Sequence, residues 1–240
     1  MERRISKRAL TALTLAAAMV SFVFWSGYWA PLQTFSPVLR EDLLLIIDPG
    51  HGGEDGGAVS VSGVPESGIN LSISLKCEQL AGLFGQPVQL LRREEVSLAD
   101  PEAETLRQRK RSDLQKRVEI INSASNAVLL SIHQNFFTKA SYSGAQVFYR
   151  PGEDSRQWAI QIQEQLRLGL DTENQRQAKE IPSDIYLMSH ISCPAILVEC
   201  GFLSNPEEDA LLQTEDYQRK LAVTILGGCM GYFADTGRTN

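Results

Sequence analysis

The chain has 240 residues, 43% of them hydrophobic and 22% charged, a balance that excludes a disordered or low-complexity protein. Its net charge of −6 is unevenly spread: residues 1–40 hold five Lys/Arg and one Asp/Glu, so residues 41–240 carry −10. An acidic body without a basic run excludes nucleic acid as a partner. The cluster Lys110, Arg111, Lys116 and Arg117 is set among acidic residues and reads as a solvated face.

The first element is a basic cluster, Arg3, Arg4, Lys7 and Arg8, followed over residues 9–30 by an uncharged apolar stretch long enough to span a bilayer. The positive-inside tendency keeps that cluster in the cytoplasm and turns everything after Ala30 outward. Trp25, Tyr28 and Trp29 suit a membrane interface, and Tyr28 stands where a small residue should precede a signal-peptide cut. The reading therefore favours an N-terminal transmembrane anchor over residues 1–30, with secretion after cleavage as its alternative. Residues 31–42 read as a linker and 43–236 as one globular domain with a full core.

Within that domain, the apolar run 43–48 is too short for a helix and is stopped by Pro49-Gly50, so it predicts a buried strand. A glycine-rich loop fills 49–68, and a helix is predicted over 69–83, ended by Gly85 and Pro87. A short strand follows at 88–91, then a charged surface excursion over 93–111. Ser112 with Gln115 predicts a capping box opening a helix whose Leu114, Val118 and Ile121 share one face. Strands are predicted at 127–132, 145–149 and 195–198, and Trp158, Ile162 and Leu166 recur on one helical face. Asn205-Pro206 starts a helix, and a last helix is predicted over 216–233. Strands alternating with helices predict an α/β fold: one domain with a mostly parallel sheet flanked by helices.

Only three histidines occur, and two of them, His51 and His133, fall just beyond the carboxyl ends of predicted strands. That edge is where open α/β sheets bind ligands. A hydrolytic zinc site needs three protein ligands and an open position. His190 lacks the strand-end setting, so Glu66, on the rim of the glycine loop, is the candidate third ligand. An ordinary carboxylate at a helix N-terminus accounts for Glu66 equally well. Glu199 closes the apolar run 195–198, where a carboxylate is costly unless paired or useful. It is placed to carry a proton between the attacking water and a leaving amine; an ion pair with Arg92 is the alternative. Cys77, Cys193, Cys200 and Cys229 form no C-x-x-C pair, and buried free thiols are the simplest reading.

The string Ile47-Asp48-Pro49-Gly50-His51-Gly52-Gly53-Glu54-Asp55-Gly56-Gly57-Ala58 resembles the opening motif of the zinc-dependent N-acetylmuramoyl-L-alanine amidases of the amidase-3 type. Glu66 followed by Asn70, then Ser131-Ile132-His133-Gln134-Asn135, then 198–205 around Glu199 resemble the family's next three motifs, in family order. The resemblance covers about residues 43–235. It implies a sheet of about six strands, one Zn2+ per chain on His51, Glu66 and His133, and Glu199 as the catalytic carboxylate. The implied substrate is peptidoglycan, cut at the amide between the lactyl group of N-acetylmuramic acid and L-alanine.

The N-terminal segment, the Ser112-Asp113 stretch and Cys200 after Glu199 are similar to the germination-specific amidases of endospore formers. That subgroup implies spore-cortex maturation toward muramic lactam and an accessory activator protein. Three rivals remain: a cysteine hydrolase using Cys200, a non-catalytic peptidoglycan-binding recruiter, and a zinc peptidase cutting within the stem.

Overall fold

The computed structural model describes residues 41–237. The predicted anchor over 1–30 and most of the predicted linker lie outside them. Among the described residues no helix is long and apolar enough to cross a membrane.

Six strands form one sheet: β1 (Leu44–Pro49), β2 (Val88–Leu90), β3 (Ala127–Asn135), β4 (Gln146–Tyr149), β5 (Lys179–Glu180) and β6 (Ala195–Phe202). Their order is β2-β1-β3-β6-β4-β5. The four strands β2, β1, β3 and β6 run parallel. β4 runs antiparallel to β6, and β5 follows β4. The helices are α1 (Glu66–Leu83), α2 (Leu106–Ser123), α3 (Glu153–Leu170), α4 (Tyr186–His190), α5 (Pro206–Leu212) and α6 (Glu215–Gly237).

Side chains alternate across a sheet, so each strand serves two cores. Leu45, Ile47, Leu130, Ile132, Ile196 and Val198 point to one face. There they pack on Ile73 and Cys77 of α1, Trp158 and Ile162 of α3, and Ile225 and Phe233 of α6. Ile46, Leu129, Ala195 and Leu197 point the other way, onto Ile121 of α2 and Leu187 and Met188 of α4. Each fully buried Leu or Ile contributes about 1.5–3 kcal/mol. Continuous apolar runs such as 43–48 follow from this double cover.

The sequence reading and the fold differ at several ends. β3 extends past its apolar run through His133, Gln134 and Asn135, and β6 runs on past Glu199 to Phe202, because ladder pairing is a backbone property and a polar side chain does not interrupt it. His133 and Glu199 therefore lie inside strands and not beyond them. α1 begins at Glu66, which makes Glu66 a first-turn residue. The capping box of α2 is Thr105 with Gln108, not Ser112 with Gln115: Thr105 Oγ1 accepts from the Gln108 amide at 3.2 Å, and Gln108 Oε1 accepts from the Thr105 amide at 2.9 Å. Part of the expected excursion over 93–111 is thus helical. The Asn205 cap is as expected, its Oδ1 accepting from Glu207 and Glu208 at 2.9 and 3.2 Å. β5, two exposed polar residues, carries no periodicity to detect.

Candidate metal centre and active site

The face of the sheet that packs on α2 and α4 becomes polar at its carboxyl edge. Alternation puts Asp48 in line with Ile46, Ser131 and His133 in line with Leu129, and Glu199 in line with Leu197. Register joins them across strands: Asp48 pairs Ser131, Ser131 pairs Leu197, and His133 pairs Glu199. A register irregularity between His133 and Asn135 ends the regular ladder beside the site.

His51 enters from the loop after β1. It sits at φ +62°, a left-handed conformation rare outside glycine, and holds its ring edge-on to His133 with centroids 5.0 Å apart. Gly50 makes this approach possible, since a Cβ there would lie 2.2 Å from His133 Cε1. Gly57 is required twice over: it has φ +71°, and a Cβ would lie 2.6 Å from Glu66 Oε2.

Glu66 is buried between the two rings. Its Oε1 lies 2.9 Å from His133 Nδ1 and its Oε2 3.5 Å from His51 Nε2. It also accepts from the amides of Ala58 and Gln134, each at 3.0 Å, and from Asn70 Nδ2 at 3.1 Å. Burial pushes this carboxyl up, but hydrogen bonding and charge from His133, then His51 and the Ala58 amide, outweigh it and hold the group at about 2. Ligand atoms of His51, Glu66 and His133 all lie within 4.8 Å of one another, so these three residues could hold a metal ion. Two imidazoles and one carboxylate are a donor set that suits zinc in hydrolytic sites.

Glu199 stands next to His133 without joining this group. Its Oε2 is buried and has no hydrogen-bond partner among the described residues. Desolvation, moderated by the charge of His133, pushes its carboxyl up to about 7. Arg92, the alternative partner considered from sequence, goes elsewhere: it donates to the carbonyls of Pro49, Gly50 and Ser67 at 3.0, 3.0 and 2.9 Å and pairs with Glu95. His51, His133 and Glu199 line a cleft of about 440 Å3 together with Asp184–Met188.

The family model for N-acetylmuramoyl-L-alanine amidases (Amidase_3) matches residues 45–230. The chain belongs to this family. A germination-specific N-acetylmuramoyl-L-alanine amidase of Bacillus subtilis is 36% identical over 195 residues, 81% of each chain. The CwlD amidase of Clostridioides difficile, solved in complex with the GerS lipoprotein, is 39% identical with a TM-score of 0.77. That match covers 80% of the present chain and 98% of the other. An N-acetylmuramoyl-L-alanine amidase of Clostridium difficile 630 gives 28% identity and a TM-score of 0.68, over 80% and 96% of the two chains. The enzyme is an amidase acting on peptidoglycan.

Three residues of the amidase site were not picked out as functional from sequence. Asp55 Oδ2 lies 3.0 Å from His51 Nδ1, and Lys110 Nζ lies 2.7 Å from Asp55 Oδ1. Burial raises the Asp55 carboxyl, but hydrogen bonds from His51 and Lys110 hold it well below the usual range. Asp55 so fixes the His51 tautomer that leaves Nε2 free toward Glu66. Its signal is the spacing, a carboxylate four residues beyond a histidine. Asp55→Ala is expected to weaken metal affinity about 10–100-fold, checked by competition with a zinc-binding dye.

Arg117 and Arg92 are the other two. The basic cluster around 110–117 is not wholly a solvated face, because Arg117 is only 2% exposed. It pairs with Asp48, pairs with Asp113 at 2.7 Å, and donates to the carbonyls of Pro49 and His51 at 3.0 and 2.7 Å. Its signal is its place between Leu114 and Ile121 on the apolar stripe of α2. Arg92 lies just beyond the end of β2, and the sequence offered it only as an alternative partner for Glu199.

All four cysteines are free. Cys200 is buried in the core on the sheet face opposite Glu199 and the histidines, and burial pushes its thiol well up. Cys200→Ala is expected to keep most of the activity, read as turnover on soluble peptidoglycan fragments; loss beyond tenfold would restore the cysteine-hydrolase reading. His190 is exposed and ends α4, with Nδ1 2.8 Å from the Tyr186 carbonyl and its ring stacked on Tyr186 at 3.9 Å. Among the described residues it joins no group of potential metal ligands.

Proposed function

We propose that the chain is a zinc-dependent amidase in which His51, Glu66 and His133 hold one Zn2+ and Glu199 is the proton carrier. The observation that carries this reading is the convergence of the three ligand atoms beside an unpartnered buried carboxylate. When bound, the ion would polarise the lactyl carbonyl and sharpen the acidity of the attacking water. The chain's own residues then divide the remaining work. Asp55 orients the His51 ring through Nδ1. Asn70 and the Ala58 and Gln134 amides hold the Glu66 carboxylate in one rotamer. Glu199 takes a proton from the attacking water and delivers it to the stem nitrogen as the C–N bond breaks, giving a free lactyl carboxylate and a free L-alanine amine.

A place in spore-cortex maturation is supported by the likeness to a germination-specific amidase, and an accessory lipoprotein partner by the likeness to CwlD bound to GerS. The basic cluster and apolar stretch over residues 1–30 support a membrane anchor with the catalytic domain outside. Mass spectrometry of peptidoglycan digested by the zinc-loaded chain tests the reaction. Intact stems with a free L-alanine amine support the amidase; cuts inside the stem would make it a peptidase. For the cortex role, spores of a deletion strain are expected to lack muramic lactam, and normal lactam would refute it.

A further inference from the structure

The strand order, taken with Glu199 as the proton carrier, orients the substrate. Glu199 must reach the departing nitrogen, so the peptide stem leaves on the Glu199 side of the metal ligands, and the lactyl group with its sugar lies on the other. From His133 on β3 the sheet continues through Glu199 on β6 to Gln146 on β4, which is the register partner of Glu199. Beyond Gln146 stands Arg176, whose Nη1 donates to Gln146 Oε1 at 3.0 Å and whose Nε donates to the Ser143 carbonyl at 2.8 Å. Its guanidinium lies over the Phe202 ring, 4.6 Å from the centroid, and 5.9 Å from that of Tyr142. Among the described residues Arg176 makes no ion pair within 4 Å and only these two hydrogen bonds, through Nε and Nη1; the nearby Glu208 carboxylate, which accepts from the Gly144 and Phe202 amides, feels its charge.

We propose that Arg176 is a specificity residue that receives a stem-peptide carboxylate in the hollow beside Gln146. The hollow measures about 600 Å3 and is walled by Ser141, Tyr142 and the Asp171–Lys179 segment. The proposal rests on Glu199 being the proton carrier, since that assignment decides which side the stem takes. Adjacent strands lie about 4.8 Å apart. The guanidinium is therefore on the order of 10 Å from the Glu199 backbone, the reach of about two to three extended residues at ~3.5 Å each. The acidic second residue of the stem falls within that reach. An arginine already oriented by two acceptors and an aromatic face loses little freedom when it binds, and its planar donors suit a carboxylate. Asp171 and Glu173 also line the hollow, so the attraction for a carboxylate must come from the Arg176 guanidinium itself, with Lys179 the other cation of the wall.

The test uses the zinc-loaded full chain and soluble glycan fragments whose stems carry the second-residue carboxylate either free or amidated. The wild type is expected to favour the free form about tenfold in kcat/KM, through KM, as one charge-assisted contact provides. Arg176→Gln is expected to abolish that preference, and Arg176→Lys to keep part of it. Equal rates on both stems in the wild type would overturn the inference without any variant, as would an unchanged preference in Arg176→Gln. Glu199→Gln is run in parallel on the same fragments. Full turnover in that variant would remove the underlying assignment, whereas an inactive Glu199→Gln beside an indifferent Arg176→Gln would remove only this inference.

Discussion

Glu199→Gln is expected to lower kcat by roughly 10²–10⁴-fold while leaving KM and metal content near wild type. Glutamine keeps the shape and can still form a hydrogen bond, but it cannot hold a proton in transit. The buried Oε2 of Glu199 has no partner among the described residues, so no hydrogen bond seen there is lost with it. Its neighbours on the sheet face, His133 and Leu197, hold their positions through β3 and β6, not through Glu199. A fall confined to kcat is the signature of an interaction made only in the transition state. Steady-state kinetics on soluble fragments would read it. A rise in KM with kcat intact would instead make Glu199 a substrate-binding group.

Arg117→Ala is expected to destabilise the fold by about 3–5 kcal/mol, the cost of leaving a buried carboxylate without its partner. Asp48 and Arg117 are both about 2% exposed, and the same guanidinium holds the Pro49 and His51 carbonyls of the loop that carries His51, a proposed metal ligand. The variant should therefore lose metal affinity together with stability, seen as a lower Tm and weaker zinc binding. Arg117 also determines how stability responds to acid. Burial raises the Asp48 carboxyl, but the charge of Arg117, then that of His133, with hydrogen bonds from Ser131 and Arg117, bring it below its ordinary value. A depressed folded value means the pair contributes fully above the unfolded carboxylate range, near pH ~4, and is lost as the pH falls through the lower folded value. Urea unfolding between pH 5 and 2 should show this loss in the wild type and a flatter profile in Asp48→Asn; parallel profiles would contradict it.

What could be read from the sequence follows from which forces leave a local pattern. The apolar runs at 43–48, 127–132 and 195–198 mark strands covered on both faces, and the cores confirm them. Glycines around His51 and the strand-end positions of the histidines pointed to the carboxyl edge. The residue types His51, Glu66, His133 and Glu199 could be nominated, while the sequence left Glu66 open between a ligand and a helix-end carboxylate; the structure adds its contacts with both rings. The polar continuation of β3 and the single carboxylate Glu199 within β6 broke the apolar runs, so the strands were read as shorter than they are. Arg117 was misread because a charge inside an apolar stripe looks like a surface residue unless its partner, Asp48, is known. That partner is 69 positions away, and only the packing of α2 on the sheet brings the two together.

The most direct test is to count zinc in purified wild type, Glu66→Ala and Glu199→Gln by atomic absorption and to assay each on peptidoglycan. One Zn2+ per chain is predicted in the wild type and in Glu199→Gln, little in Glu66→Ala, and activity only in the wild type. A Glu66→Ala chain that keeps both zinc and activity, or a Glu199→Gln chain that loses its zinc, would contradict the assignment of three ligands and one separate proton carrier.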